Sequence, residues 1–184
     1  MAAAHLITQL QTIVSRQIDP ADAAVVSITK IHGGNTWNAL PDFAVVRGTF
    51  RSFKNSVRAQ LEQSISRLAQ SVAQGFRLHA DVCFNPENPG YPVTVNSPDE
   101  TASAIRAAIE VAGADCVNTA PTPSMGAEDF AFMLQQKPGC YIWIGNGSSQ
   151  GNCLLHNPNY DFNDEILPLG AAYWVKLVEN ELLG

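Results

Sequence analysis

Hydrophobic and polar positions in the first half of the chain predict two helices and three strands. Apolar residues recur every three or four positions in two segments, and Gly75 is placed to end the second of these helices. Two other segments are rich in β-branched and aromatic residues, which is typical of strands, and a third, 78–84, is also interpreted as a strand. In chain order the predicted elements are a helix over 3–17, strands over 24–31 and 43–53, a helix over 57–76 and a strand over 78–84. This order resembles a split β-α-β layer without its opening strand.

The second half begins after the strongest break in the pattern, three prolines within residues 85–92, where we place a domain boundary. Ser97, Pro98 and Glu100 then form the pattern of a capping box, in which the serine hydroxyl caps a helix that Gly113 ends. The predicted elements are a helix over 98–112, a short helix from residue 127, a strand over 140–144 and a helix over 165–183. One strand cannot form a sheet alone, so partners are missing.

The start of the chain also suggests a missing part. No Ser, Thr, Asp or Asn precedes the first helix as a capping residue. We therefore expect that the chain was cut from a longer one, with an ordinary frayed terminal helix as the alternative.

Composition narrows the classes of function. The chain has 184 residues, 46% hydrophobic and 15% charged, which is enough apolar material for a folded core. Lys and Arg number 11 against 17 Asp and Glu, a net charge of −6 that argues against a nucleic-acid partner. No apolar stretch approaches the roughly 20 residues that span a bilayer, so we expect no membrane partner. Four cysteines without a C-x-x-C pair are typical of reduced thiols, and we expect a cytoplasmic protein.

His156 is the first candidate for chemistry, in a polar loop before the last helix. It is either a metal ligand or a hydrogen-bonded loop histidine. Cys153, three residues earlier, is a candidate second ligand, although a lone C-x-x-H does not complete a zinc site.

Two adjacent acids, Glu128 and Asp129, are the second candidate. They are either an acid/base pair or carboxylates that complement the dipole of the helix that follows. The same turn could instead present the backbone N–H groups of Gly126 and Ala127 to an anion.

Two arginines on the second predicted strand are the third candidate. Arg47 and Arg51 have the same parity, so both project from one face of the sheet, either to capture a carboxylate or to form ordinary surface salt bridges. Along the preceding strand, alternation groups Lys30 with Val26 and Ile28.

Three segments taken together resemble the amidohydrolase branch of the zinc aminoacylase and carboxypeptidase family, which includes hippurate hydrolases, auxin-conjugate hydrolases and N-acyl amino acid amidohydrolases. The segments are Gly33-Gly34-x-x-x-Asn38-x-x-Pro41-Asp42 running into Arg47-Gly48-Thr49-Phe50-Arg51, then Ser124-Met125-Gly126-Ala127-Glu128-Asp129-Phe130, then Leu155-His156-Asn157-Pro158. They occur in the family's order and spacing over nearly the whole chain.

The resemblance implies an α/β fold with two parts. Residues 2–93 would be a split β-α-β, ferredoxin-like lid domain that dimerises and lacks its first strand. Residues 94–184 would be the C-terminal portion of a phosphorylase/hydrolase-like α/β catalytic domain. A homodimer formed through the lid is implied as well.

The resemblance also implies roles for individual residues. His156 matches a metal ligand of an active site that holds two zinc or manganese ions. Asn38 and Arg51 match substrate-binding residues of the lid, and Arg51 suits the carboxylate of an N-acyl amino acid. The turn formed by Ser124, Met125 and Gly126 matches a loop that lines the substrate.

Departures from the family pattern concern catalysis. The other metal ligands, the glutamate that acts as general base and the histidine that stabilises the oxyanion lie in an N-terminal portion that this sequence does not contain, so no catalytic residue is assigned here. The complete enzyme would use metal-activated water to hydrolyse the amide bond of an N-acyl amino acid. We expect this chain alone to be inactive, and the alternative is a non-catalytic dimerising or ligand-binding module.

Overall fold

The computed structural model describes residues 1–84, 90–147, 153 and 155–183, so most of the predicted break at 85–92 lies outside the described residues. The chain divides into two compact units, Met1–Val93 with Met125–Ala127, and Thr94–Ser124 with Glu128–Gly184. The first unit contains α1 (Ala2–Arg16), β1 (Ala24–Gly33), β2 (Ala44–Ser52) and α2 (Asn55–Gly75). The second contains α3 (Pro98–Ala112), α4 (Phe130–Leu134) and α5 (Leu167–Leu183), with 3₁₀ turns at Ala114–Cys116 and Asp164–Ile166. The mixed α/β class is as predicted.

The core of the first unit lies between its two helices and one face of the β1–β2 pair. Ile13 of α1 and Leu61 of α2 are fully buried there, and Val26 of β1 joins them from the sheet. The helices bury the apolar stripe that their 3.6-residue period predicts. One face of the sheet is therefore covered by helices.

The antiparallel register of β1 and β2 determines which residues share a face. Val26 pairs with Phe50 and Ile28 with Gly48, but Lys30 pairs with Arg47, because a bulge at Thr29 inserts one residue into β1. Alternation predicted that Lys30 shares a face with Val26 and Ile28. That prediction is wrong, because the bulge turns Lys30 to the opposite face. Residues on the face away from the helices, called the outer face below, are Val25, Ser27, Lys30, His32, Val45, Arg47, Thr49 and Arg51.

Two predicted strands, 78–84 and 140–144, are not strands within the described part of the chain. A strand requires a hydrogen-bonded partner along its backbone, and the two-stranded sheet consists of β1 and β2 alone within the described ranges. Residues 78–84 nevertheless remain attached to the first unit, since the ring of Phe84 packs edge-on against that of Phe50 with ring centroids 5.9 Å apart. Segment 139–141 is held by Asn96 and Ser97 rather than by a second strand.

Helices α3 and α5 form the centre of the second unit. Small residues, Ala104 and Ala107, lie at the buried contact with Tyr173 and allow the helices to approach closely. The Ser103 hydroxyl donates a hydrogen bond to the carboxylate of Glu181 across the same pair. No helix within the described ranges is long and apolar enough to span a bilayer.

Ser97 has a different role from the one that the capping box predicts. It is the N-cap residue of α3, and Pro98 occupies the first turn as predicted. Its side chain makes no cap hydrogen bond; the hydroxyl instead accepts one from the backbone N–H of Gly139 at 3.1 Å. A long-range backbone donor has replaced the local one, and the helix start therefore anchors segment 139–141.

Candidate functional site

His156 lies in a loop whose two ends are tied together by asparagine side chains. The backbone N–H of Asn163 donates to Oδ1 of Asn146 at 2.8 Å, and Nδ2 of Asn146 donates to the carbonyl of Asp161 at 2.8 Å. Nδ2 of Asn163 also donates a hydrogen bond to the Asn146 carbonyl at 3.2 Å. These contacts hold the base of the loop beside the start of α5.

Within the loop the backbone around His156 is bent by a local turn. Oδ1 of Asn157 accepts a hydrogen bond from the N–H of Asn159 at 2.9 Å, and the Asn157 carbonyl accepts one from Tyr160 at 2.9 Å. His156 itself has a left-handed backbone with φ of 71°, a conformation that costs a non-glycine residue energy and recurs at functional sites. Its side chain is exposed, and neither ring nitrogen has a hydrogen-bond partner among the described residues.

A complete metal site is not present within the described residues. No group of three or more His, Cys, Asp or Glu side chains is gathered there in a way that could hold a metal ion. Cys153 is a half-buried free thiol and brings no such group together with His156. Protein metal sites usually need three or four ligands, so His156 can supply only one of a set.

The turn at Ser124, Met125 and Gly126 precedes two acids and the short helix α4. Ser124 and Gly126 are exposed and Met125 is half-buried. The helix begins at Phe130, three residues later than predicted, and Asp129 is its N-cap residue without a side-chain cap bond.

Tyr141 lies beside these acids. Burial, followed by the negative charge of Glu128, raises the pKa of the Tyr141 phenol above its ordinary value. Its ring also packs on Phe130, with centroids 5.7 Å apart. Glu128 is therefore placed against a neutral phenol, a neighbour that the sequence pattern did not indicate.

Asn38 lies in the connection between β1 and β2. Oδ1 of Asn38 accepts a hydrogen bond from the Thr36 hydroxyl at 2.8 Å, and the residue is exposed. Gly34 enters this connection with a left-handed φ of 77°, and the ring of Pro41 lies 3.7 Å from the position that a Cβ at Gly34 would occupy. The loop that carries Asn38 thus depends on a glycine backbone conformation at its start.

Arg51 is half-buried on β2, and its Nη1 donates to the Phe50 carbonyl at 3.0 Å. Arg47 lies on the same outer face, as predicted, because no bulge interrupts β2 between them. Neither arginine forms an ion pair with another described residue, so the salt-bridge alternative is not what the structure shows. Asn38 and Arg51 belong to the first unit, and His156 belongs to the second.

Sequence reasoning missed several residues that shape these sites. Asn146 and Asn163 tie the His156 loop, yet their only signal was their position beside polar loops. Lys30 joins the arginines through a bulge at Thr29, which has no glycine or other local marker in the sequence.

Comparison with known proteins identifies the family. The model of peptidase family M20/M25/M40 matches residues 6–180. Hippurate hydrolase of Campylobacter jejuni is 34% identical over 176 residues, which cover 96% of this chain and 44% of that protein. N-acetyl-L-cysteine deacetylase of Bacillus subtilis is 33% identical, over 95% of this chain and 40% of that protein.

A solved structure agrees with the sequence comparisons. The YXEP protein of Bacillus subtilis, described as a dinuclear metal binding peptidase from the M20 family, has a TM-score of 0.71 and 28% identity, over 98% of this chain and 45% of that one. The chain spans less than half the length of these relatives. The predicted resemblance is thus confirmed, and the chain belongs to peptidase family M20/M25/M40.

Proposed function

We propose that this chain supplies the lid and the C-terminal catalytic portion of a metal-dependent amidohydrolase that cleaves the amide bond of N-acyl amino acids. The names of the two relatives above support this substrate class, because hippurate and N-acetyl-L-cysteine are both N-acyl amino acids. The observation that carries the proposal is the His156 loop, which is tied at its base and presents an exposed imidazole in a left-handed turn.

His156 is proposed to be one ligand of a site for two divalent ions, zinc or manganese. The relative described as a dinuclear metal binding peptidase supports this assignment. The imidazole fits the role, because both ring nitrogens are without a partner among the described residues and nitrogen is a common zinc ligand. Such an ion, when bound, supplies a Lewis acid that polarises the amide carbonyl.

The substrate is proposed to be held by the remaining site residues. The planar guanidinium of Arg51 can bind both oxygens of the amino acid carboxylate, since only one of its N–H groups is used by the Phe50 carbonyl. Asn38 can donate its amide N–H to the substrate while Thr36 orients its carbonyl oxygen. The turn at Ser124, Met125 and Gly126 would line the substrate.

The two compact units support the proposed domain roles, with 2–93 as the lid and 94–184 as part of the catalytic domain. A homodimer through the lid is proposed because each strand of the β1–β2 pair has one edge without a strand partner among the described residues. Sedimentation that shows only monomer at high protein concentration would count against the dimer.

A cytoplasmic location is proposed as well. The free thiols of Cys83, Cys116, Cys140 and Cys153 are in keeping with it.

The isolated chain is proposed to be inactive, because His156 alone cannot hold the metal pair. The test combines the purified chain with the part of Campylobacter jejuni hippurate hydrolase that it does not match, followed by metal analysis and a hippurate hydrolysis assay. We expect no turnover from the chain alone, turnover from the mixture, and loss of both metal and turnover with His156→Ala. His79→Ala is the matched control, since His79 is an exposed histidine whose partner among the described residues is Asp81.

Two results would contradict this assignment. Metal-dependent turnover by the chain alone would show that a site is completed without the missing ligands. A His156→Ala mixture that binds metal and turns over as the parent does would remove His156 from the site.

The second candidate function is a non-catalytic dimerising or ligand-binding module. The observation that favours it is the lack of any group of three metal-ligating side chains within the described residues. Ligand binding that persists without metal, with no activity in the mixture, would support this candidate over the first.

A further inference from the structure

The outer face of the β1–β2 sheet concentrates positive charge in an acidic protein. Lys30, Arg47 and Arg51 all lie on it, and the other members are His32 and uncharged residues, whereas the whole chain has a net charge of −6. The acids closest to the strands in sequence are Asp42 in the connecting loop and Asp22. The Asp22 carboxylate is already paired with Lys54.

The register places two of these cations directly opposite each other. Lys30 and Arg47 are a cross-strand pair, so their α-carbons lie about 5 Å apart. Like charges at directly opposed positions destabilise a sheet, because nothing between them screens their repulsion except solvent. Both side chains are exposed, and neither has an ion pair or hydrogen bond with any other described residue.

The bulge at Thr29 is what produces this pairing. Without the inserted residue, Lys30 would alternate onto the helix-covered face with Val26 and Ile28, where an ammonium group would be desolvated. With it, Lys30 is turned to the face that carries Arg47 and Arg51. These three cations have no ion-pair partner within the described ranges, and together they form a surface complementary to an anion with more than one charge.

We propose that Lys30 and Arg47 form a second anion subsite, which takes the distal carboxylate of an N-acyl amino acid whose acyl group is itself a dicarboxylic acid. The inference rests on the proposed function, in which Arg51 holds the amino acid carboxylate. Arg47 and Arg51 are four residues apart on one strand, so their α-carbons are separated by about 13 Å. Their long, flexible side chains can converge on two carboxylates carried by one small molecule, but the separation disfavours both cations acting on a single carboxylate.

The test compares two probes that differ only in the distal charge. N-succinylglycine carries a carboxylate where N-butyrylglycine carries a methyl group, and both keep the glycine carboxylate. Binding of each to the full 184-residue chain is measured by calorimetry at fixed ionic strength. The variants are Lys30→Gln, Arg47→Gln and Arg51→Gln, with Arg16→Gln as control because Arg16 is an exposed cation on α1, outside the sheet.

We expect N-succinylglycine to bind about three- to ten-fold more tightly than N-butyrylglycine, as two exposed charge contacts allow. Lys30→Gln and Arg47→Gln should each reduce that preference while leaving N-butyrylglycine binding unchanged, and Arg16→Gln should alter neither. Arg51→Gln should weaken both probes. Removing one of two facing cations does not threaten folding, so weak binding by these variants is not explained by an unfolded chain.

The outcomes separate the subsite from the proposed function. Equal binding of the two probes, or a preference that survives both Lys30→Gln and Arg47→Gln, overturns the subsite while Arg51 keeps its role. Binding of neither probe overturns the subsite, but it leaves the proposed function standing, because that function is assigned to this chain together with the portion that supplies the other metal ligands. A preference that behaves as expected in a protein whose His156 proves unrelated to metal would leave the subsite standing and refute the metal assignment alone.

Discussion

The C-terminus of α2 allows a paired test of where the chain needs a glycine. The helix ends at Gly75, and the left-handed residue is Arg77, with φ of 58°. The N–H of Leu78 donates to the Ala73 carbonyl at 2.9 Å and that of Arg77 to the Gln74 carbonyl at 3.0 Å, the two bonds of a Schellman motif. The sequence placed the helix-ending glycine at Gly75, and the structure places the left-handed position two residues later.

The magnitudes follow from these conformations. A left-handed backbone costs a non-glycine residue roughly 1–2 kcal/mol. A glycine at the same position avoids this cost but lowers stability by about 0.5–1 kcal/mol, because it loses more conformational freedom on folding. Arg77→Gly should therefore stabilise the protein by about 0.5–1 kcal/mol. At Gly75 a Cβ would meet no heavy atom within 4 Å, so Gly75→Ala should gain about 0.5 kcal/mol from helix propensity at a terminal position.

Urea denaturation followed by circular dichroism measures both changes. Each variant should move the midpoint upward by a few tenths of a molar without altering the slope. Arg77→Ala is the control, because it removes the side chain but leaves the left-handed cost, and it should be close to neutral. A destabilised Gly75→Ala together with a neutral Arg77→Gly would refute the reasoning and place the left-handed residue at Gly75.

Three further predictions concern the sheet and Tyr141. Gly48→Ala should destabilise the protein by about 1–3 kcal/mol in the same denaturation assay, because the new methyl group would overlap the carbonyl oxygen of Ser27 on the neighbouring strand; an unchanged midpoint would contradict the register at the bulge. Lys30→Gln should raise stability by about 0.2–1 kcal/mol by removing its repulsion with Arg47, an effect that added salt should diminish. Burial raises the pKa of Tyr141, so the folded state holds this proton to higher pH than the unfolded chain does. The associated stability is complete below about pH 10 and is lost as the pH rises from there toward the folded-state pKa. Tyr141→Phe should remove that part of the alkaline loss and lower the amplitude of the late part of the tyrosinate absorbance titration, to which Tyr173, whose pKa burial also raises, contributes as well. Loss of amplitude at about pH 10 instead, the ordinary range of tyrosine, would contradict the shift.

The residues of the candidate site can be proposed from the sequence, but the contacts that hold them in place cannot. His156, Arg51 and Asn38 stood out because their segments resemble one family in order and spacing. Their roles stay predictions, since the described residues show neither a metal cluster nor a bound substrate. The contacts that hold the His156 loop, made by Asn146 and Asn163 across 17 residues, have no local pattern from which they could be predicted.

The sequence by itself determined the helices of this protein and the family to which it belongs. The predicted helix over 98–112 has the observed bounds, and the first two helices differ from prediction by two residues or fewer at each end. Helices can be predicted in this way because their hydrogen bonds, caps and apolar stripes all repeat within four residues along the chain.

Only the tertiary structure decided features whose hydrogen-bond partners are distant in sequence. Segments 78–84 and 140–144 have strand-forming residues but no strand partner among the described residues. The Ser97 hydroxyl binds the Gly139 N–H, 42 residues away, instead of capping its own helix. Lys30 lies on the outer face because β1 pairs with β2 through a bulge. In each case the local pattern is satisfied by more than one arrangement, and the contact with a distant segment selects one of them.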